Sequence, residues 1–290
     1  TQLIAAKIAA GDRHSCALTP TGSVYCWGAN DQGQSGQFND EEEPDWPTVF
    51  EPMQVPLNGE AVDIALGSRH SCAKLSDGEL KCWGYAGTNA LGRWAGGDDA
   101  CAGEPSKNVG AVLGLPETPI HSISAGLDTS CALLTDGEIY CWGDNGLGQL
   151  GQGEAARCQT NPQPTAVRRN LATGSIDRFH HVSTGNAVTC AIGSIEDEDE
   201  ESVWCWGSNE HGRLGINVDN LDIVRREPAR LGGLGELLSP AALTTGLGEH
   251  ACIFSQESTL CWGAGIDFQL GNCNRNNAVA PVEVQDVCNL

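Results

Sequence analysis

Short stretches in which apolar and polar residues alternate recur along the whole chain, separated by turn residues. One unit has the form G-x-x-H-S-C-A-L, a short turn, and a second β-rich stretch ending in C-W-G. The C-W-G tripeptides begin at Cys26, Cys82, Cys141, Cys205 and Cys261. The first Cys of each unit is Cys16, Cys72, Cys131, Cys190 or Cys252. Alternation of this length is typical of half-buried strands, and the recurrence predicts five copies of one β unit.

The spacing inside a copy predicts an antiparallel hairpin. Opposed positions in such a hairpin have a constant index sum, so Cys16 lies opposite Cys26 around the loop Pro20-Thr21-Gly22, and the next two loops centre on Asp77 and Asp136. Gly in the last loop position supplies the positive φ that a three-residue hairpin loop requires. Opposed Cα atoms lie about 4.5–5.5 Å apart, within disulfide range. Each copy therefore predicts its own cross-strand disulfide, and reduced core cysteines are the weaker alternative.

The remaining cysteines test this pattern. Cys190 and Cys205 are separated by a longer turn, whereas the Cys252 hairpin leaves only a two-residue turn at Gln256-Glu257; both keep the pairing. Four cysteines lie outside the hairpins: Cys101, Cys158, Cys273 and Cys288. We expect Cys101 to pair with Cys158 and Cys273 with Cys288, one of three possible connectivities.

An apolar stretch precedes each hairpin, and a Gly-rich motif with a Pro-marked extended segment follows it. This order predicts four strands per copy, and hence an all-β fold, a β-propeller of four-stranded antiparallel blades with five blades counted. We expect one domain over residues 1–290, with blade boundaries near 1–56, 57–116, 117–170, 171–232 and 233–290.

Two segments carry a family resemblance: AGDRHSCALTPTGSVYCWGANDQGQSG at Ala10–Gly36 and AGLDTSCALLTDGEIYCWGDNGLGQLG at Ala125–Gly151. They resemble the regulator-of-chromosome-condensation repeat family, and the match extends over all five copies. The family's usual propeller has seven blades. We expect the five whole units here to close, and a piece of a longer ring is the alternative. Paired cysteines resemble those of exported bacterial members.

Composition limits the classes of binding partner and the cellular compartments that we expect for this protein. The 290 residues include 38 Asp or Glu and 16 Lys or Arg, a formal charge of −22, which disfavours nucleic acid and anionic membranes. Fourteen Cys without a C-x-x-C motif favour disulfides in an oxidising compartment, so we expect an extracellular, cell-surface or periplasmic protein. An apolar run of membrane-spanning length is absent, and so is a signal peptide; if exported, this is a mature or trimmed form.

Candidate chemistry is sparse. The sequence contains no common catalytic motif. Gly146, Gly148 and Gly151 spell G-x-G-x-x-G, but they lie inside the Gly-rich motif that follows C-W-G in every copy, and no helix is predicted after them. His180-His181 points to both faces of a strand, which favours packing over a metal site. The Trp residues of C-W-G are interpreted as core, and the family's histidine position, at His14, His70 and His250, as structural.

Two acidic runs, residues 40–45 and 196–201, are interpreted as solvated loops. Calcium binding there is the less favoured alternative, and no other cofactor is expected.

The repeats differ most in the two residues that follow the Gly ending each first strand. From these positions we take as the candidate partner-binding face Asp12, Arg13, Ser68, Arg69, Leu127, Asp128, Asn186 and Glu249. In a propeller such turns share one face, and a constant frame with variable turns is typical of a binding surface. The family resemblance implies a protein partner there. The sequence therefore predicts a non-enzymatic binding or scaffold module. Alternatives are a lectin-like or calcium-assisted ligand binder, an enzyme with a site in the central cavity, and turns that are merely solvated.

Overall fold

The computed structural model describes residues 2–38, 47–93, 107–153, 159–171, 174–195, 201–217, 224–232, 234, 242–255 and 258–285. The chain divides into two compact units. The first comprises Thr1–Thr135, Tyr140–Asn145 and Arg157–Thr165, and the second comprises Asp136–Ile139, Gly146–Ala156 and Ala166–Leu290.

Three four-stranded antiparallel sheets lie mainly in the first unit. The first sheet contains β1 Lys7–Ala10, β2 His14–Leu18, β3 Val24–Ala29 and β4 Thr48–Gln54. The second contains β5 Ala61–Leu66, β6 His70–Leu75, β7 Leu80–Gly84 and β8 Gly110–Ala111. The third contains β9 Ile120–Ala125, β10 Thr129–Leu134, β11 Ile139–Asp144 and β12 Thr160–Ala166.

The second unit contains two sheets. The fourth sheet contains β13 Asn170–Leu171, β14 Gly174–Thr184, β15 Val188–Ile195, β16 Glu201–Ser208 and β17 Val224–Arg230. The fifth contains β18 Ala242–Thr245, β19 His250–Phe254, β20 Thr259–Gly263 and β21 Ala278–Glu283. Helical geometry in the described ranges is limited to one 3-10 turn, Glu210–Gly212. The fourth sheet exceeds the predicted four strands because β14 runs past its hairpin partner and pairs with β13.

The hairpin registers confirm the index-sum prediction. Cys16 pairs directly with Cys26, and Leu18 pairs with Val24. Gly22, Gly78 and Gly137 close the three-residue loops with φ of 80°, 93° and 85°. In the fifth sheet Phe254 pairs with Thr259, although the predicted turn Gln256-Glu257 lies outside the described residues.

All five predicted hairpin disulfides are present: Cys16–Cys26, Cys72–Cys82, Cys131–Cys141, Cys190–Cys205 and Cys252–Cys261. Their Cα atoms lie 4.1 to 4.2 Å apart, slightly closer than expected. Cys273 is also disulfide-bonded. The expected pairings of Cys101, Cys158 and Cys288 involve residues outside the described ranges.

Inside each unit, tryptophan side chains form hydrogen bonds between neighbouring sheets. The indoles of Trp83 and Trp142 are fully buried, and each donates to a backbone carbonyl of the preceding Gly-rich motif. Trp206 and Trp262 do the same in the second unit. Trp27 is only half-buried, so the interpretation of all five C-W-G tryptophans as core is wrong for this one. Its neighbour Cys26 packs in one cluster with residues of the second sheet, so the Trp27 ring lies on the opposite side of the first sheet.

Candidate functional site

The turns predicted to vary lie at one end of each sheet, together with the Gly-rich motif. In the first unit the amides of Ala29, Tyr85 and Asp144, each directly after C-W-G, donate to carbonyls of the variable turns at 2.8 to 2.9 Å. Ser208 and Ala264 make the same bond in the second unit. We call the eight predicted residues at these turns the turn surface.

Two arginines dominate the turn surface of the first unit. Arg13 is 63% exposed and lies 3.4 Å from the Asp31 carboxylate. Arg69 lies 3.4 Å from the Asp128 carboxylate, and its guanidinium stacks 3.7 Å from the centre of the Tyr85 ring. Stacking and ion pairing together fix the direction of the Arg69 side chain.

The carboxylates beside these arginines differ in environment. Burial raises the pKa of Asp128, and the charge of Arg69 only partly opposes this effect. Burial acts in the same direction on Asp31, but hydrogen bonds from Gln34 and Gln32, with the charge of Arg13, keep its pKa below the ordinary value. Hydrogen bonds and the charge of Arg13 thus favour the charged form of Asp31, whereas burial disfavours the charged form of Asp128.

The predicted residues are not equally accessible. Asp12, Arg13 and Leu127 are exposed. Ser68 is buried at 7% exposure, and its backbone amide donates to the carbonyls of the next turn, at Gly126 and Leu127. Within the first unit, the exposed side chains of the turn surface thus include Asp12, Arg13 and Leu127, while Ser68 links one turn to the next.

In the second unit a buried arginine, Arg213, contacts residues of two different turns. The Arg213 side chain is 3% exposed and lies 3.3 Å from carboxylate oxygens of both Glu210 and Glu249. It also donates to the Asn186 carbonyl at 2.8 Å. His211 Nδ1 lies 2.6 Å from the Glu249 carboxylate, in contact but poorly angled for a hydrogen bond. Asn186 and Glu249 are thereby held by one guanidinium.

Two of the three histidines at the family position, His14 and His70, have the structural role that was interpreted, but they bind a hydroxyl rather than backbone. His14 Nε2 lies 2.8 Å from the Ser71 hydroxyl, which donates to the Gln34 carbonyl. His70 and Ser130 repeat this contact at 2.9 Å. Because each hydroxyl donates onward, the ring must be protonated on Nε2, and its Nδ1 has no hydrogen-bond partner. Burial lowers the pKa of His14 to about 4 and that of His70 to about 3.

Other ligand sites find little support in the described residues. The described ranges contain no cluster of three His, Cys, Asp or Glu able to hold a metal ion. The acidic runs lie outside them, except Glu201. His181 binds the Leu243 carbonyl at 2.8 Å, while His180 faces Glu201 at 3.9 Å.

An open groove of about 490 Å³ runs beside the first hairpin loop, lined by residues 21–24 and 54–60. In the part of the chain that the structure describes, no helix could span a bilayer.

Three residues that contact the turn surface were not predicted from the sequence: Asp31, Tyr85 and Arg213. Arg213 had a visible signal, since it replaces the Gln of the Gly-rich motif as G-R-L-G. No sequence signal marks the ion pair of Asp31 with Arg13 or the stacking of Tyr85 on Arg69. Both contacts depend on how the side chains of separate loops meet.

Comparison with known proteins gives a consistent result. A family model described as the RCC1-like domain matches residues 1–290. The chain is 31% identical over 266 residues to human HERC2, an E3 ubiquitin-protein ligase, covering 90% of this chain and 5% of that protein. It is 25% identical over 267 residues to the ultraviolet-B receptor UVR8 of Arabidopsis thaliana, covering 91% of this chain and 54% of the receptor. The chain thus spans from a twentieth to about half of these relatives.

Solved structures share the fold. Human WBSCR16 matches with a TM-score of 0.76 at 21% identity, covering 96% of this chain and 66% of that one. Prp20p of Saccharomyces cerevisiae matches with a TM-score of 0.77 at 20% identity, covering 98% and 64%. The sheets described above are accordingly blades of the β-propeller type.

Proposed function

Because the chain belongs to the RCC1-like domain family, we propose that it is a non-enzymatic binding or scaffold module that engages a protein partner through the turn surface. The observation that carries this proposal is the contrast between a repeated frame and its turns. Hairpin register, disulfide and indole contact recur from sheet to sheet, whereas the turn residues differ in charge and size. A rigid frame that presents variable loops is suited to recognition.

The side chains offered by the first unit suit a protein surface. Arg13 is largely exposed, Arg69 is preoriented by Tyr85 and Asp128, and Leu127 adds an exposed apolar side chain at 36%. Arginine and aromatic residues are enriched at protein interfaces, and preorientation reduces the entropy lost on binding. Prp20p is described with binding to Gsp1p and histones, and for the present chain this supports only the class of partner.

We further propose an extracellular, cell-surface or periplasmic location in a bacterium. The support is chemical: five hairpin disulfides persist best in an oxidising compartment. The formal charge of −22 argues against nucleic acid as the partner.

The test is capture of partners from the source organism's extracytoplasmic fraction with the intact, oxidised chain. Arg13→Glu and Arg69→Gln should each reduce retention of the same partner at least about tenfold, the loss expected from a hot-spot arginine. Lys74→Glu is the matched control, because Lys74 lies at the other end of β6 from Arg69. Thermal unfolding verifies that each variant folds. Equal retention by the arginine variants and the control would refute the proposed surface.

A further inference from the structure

Three arginines of the second unit lie beside the third Gly-rich motif. Arg225 and Arg226 are on β17, the outermost strand of the fourth sheet, and Arg168 follows β12 of the third sheet. The Gly153 amide donates to the Arg226 carbonyl at 2.6 Å, and the Arg168 amide donates to the Gly151 carbonyl at 2.9 Å. The motif thus joins the backbones on which these arginines lie, and we call Arg168, Arg225 and Arg226 the arginine cluster.

Two glycines, one in the motif and one just after it, leave room for the arginine side chains. A Cβ on Gly148 would approach Cγ of Arg226 to 2.9 Å, and a Cβ on Gly153 would approach Nη1 of Arg168 to 3.1 Å. Both side chains therefore lie directly against backbone that carries no side chain of its own. A long side chain restricted in this way loses less conformational entropy when its charged end binds a partner.

The equivalent positions of other sheets hold neutral residues. Arg225 pairs with the Gly of C-W-G, and this pairing and the position after it identify the equivalents in the first and fifth sheets: Val49, Phe50, Ala278 and Val279. Residues whose amides donate to the last Gly of their own motif, as that of Arg168 does, are neutral as well: Leu113 and Gln285. The frame therefore forms without arginine at these positions, so the positive charge suits a ligand rather than the fold.

The charges of the arginine cluster are accessible to a ligand. The Arg225 side chain is exposed, and no hydrogen bond or ion pair joins its guanidinium to any described residue. Arg168 lies 3.0 Å from the Glu227 carboxylate, with side chains 52% and 41% exposed. An exposed ion pair of this kind contributes little free energy, so exchanging Glu227 for another carboxylate loses little. The cluster can therefore bind further anions, although most of a chain of charge −22 repels them.

An exposed leucine beside the arginine cluster narrows the kind of anion. Leu147 directly precedes Gly148 and is 41% exposed, and it offers an apolar contact that a phosphate or sulfate group cannot use. Guanidinium groups bind carboxylates through paired hydrogen bonds. We propose that the arginine cluster and Leu147 bind an acidic peptide segment of a partner protein, with its carboxylates on the arginines and an apolar side chain on Leu147. The proposal stands independently of the proposed function, whose test uses Arg13 and Arg69 of the first unit.

Fluorescence anisotropy of a fluorescein-labelled decapeptide that contains six glutamates and two leucines tests the proposal at low ionic strength. The intact, oxidised chain should bind it saturably, and the double substitution Arg225→Gln, Arg226→Gln should weaken binding about tenfold, as the loss of two exposed ion pairs predicts. The matched control is Arg178→Gln, Arg230→Gln, which removes the same charge from exposed arginines at the start of β14 and the other end of β17. Thermal unfolding verifies that each variant folds.

Two further probes separate the acidic peptide from other anions. Leu147→Ser should weaken binding of the decapeptide but not of a peptide whose leucines are replaced by glycine. The proposal is overturned if the wild-type chain shows no saturable binding at millimolar concentration, or if the two double variants bind the decapeptide equally. It is overturned as well if heparin binds the wild-type chain more tightly than the decapeptide and loses its binding in Arg225→Gln, Arg226→Gln, because the cluster is then a site for sulfated polysaccharide.

Discussion

Acidification should destabilise the first unit through its two buried neutral histidines. Burial lowers the pKa of His14 to about 4 and of His70 to about 3, while both titrate near 6.5 in the unfolded chain. Below pH 6.5 the unfolded state therefore binds protons that the folded state does not, and stability falls as the pH falls. Between pH 7 and pH 5 each histidine should remove about 2 kcal/mol from the free energy of unfolding, or about 4 kcal/mol together.

Urea unfolding followed by tryptophan fluorescence, with the disulfides intact, measures this difference at pH 7 and pH 5. Carboxylates also titrate in this range, so the decisive quantity is the change caused by the double substitution His14→Gln, His70→Gln. A glutamine amide can still donate to the serine hydroxyl, yet it does not titrate. The double variant should lose about 4 kcal/mol of the pH dependence. An unchanged pH dependence in the double variant would refute the reasoning.

Three further predictions concern the frame. Trp142→Phe removes one indole hydrogen bond and should lower the free energy of unfolding by about 1–2 kcal/mol in urea titrations. Gly151→Ala places a Cβ 2.7 Å from an indole nitrogen at a φ of +69°, and it should lower the free energy of unfolding by more than about 2 kcal/mol. A Cβ on Gly78 would have no atom within 4 Å, so Gly78→Ala should lower it by only about 1 kcal/mol, from the positive φ alone. Thermal unfolding of the two variants compares these losses. The double substitution Cys131→Ser, Cys141→Ser should cost about 3 kcal/mol and remove that hairpin's sensitivity to reductant, measured by unfolding with and without dithiothreitol.

The hairpins could be predicted closely from the sequence because their geometry is local. A constant index sum fixed the pairing of Cys190 with Cys205 even across a long acidic turn. The extra strand β13 escaped prediction, since pairing of Asn170 and Leu171 leaves no periodic signal in two residues.

Contacts between repeats were less predictable. The hydroxyl between His14 and the Gln34 carbonyl comes from a residue 57 positions later, and only the rotation of one sheet against the next brings it there. The half-burial of Trp27 likewise depends on what covers a sheet face. Identical motifs therefore have different environments at different places in the array.

The hairpin disulfides also determine how the chain would respond to a pulling force. Each bond joins residues 9 to 15 positions apart on paired strands, so tension applied at the chain ends passes through sulfur and bypasses the hairpin loop. A ten-residue hairpin held in this way withholds about 30 Å of extension. An oxidised chain stretched to its limit should thus be shorter than a reduced one, and each of the five hairpins contributes one discrete step beside that of the Cys273 disulfide.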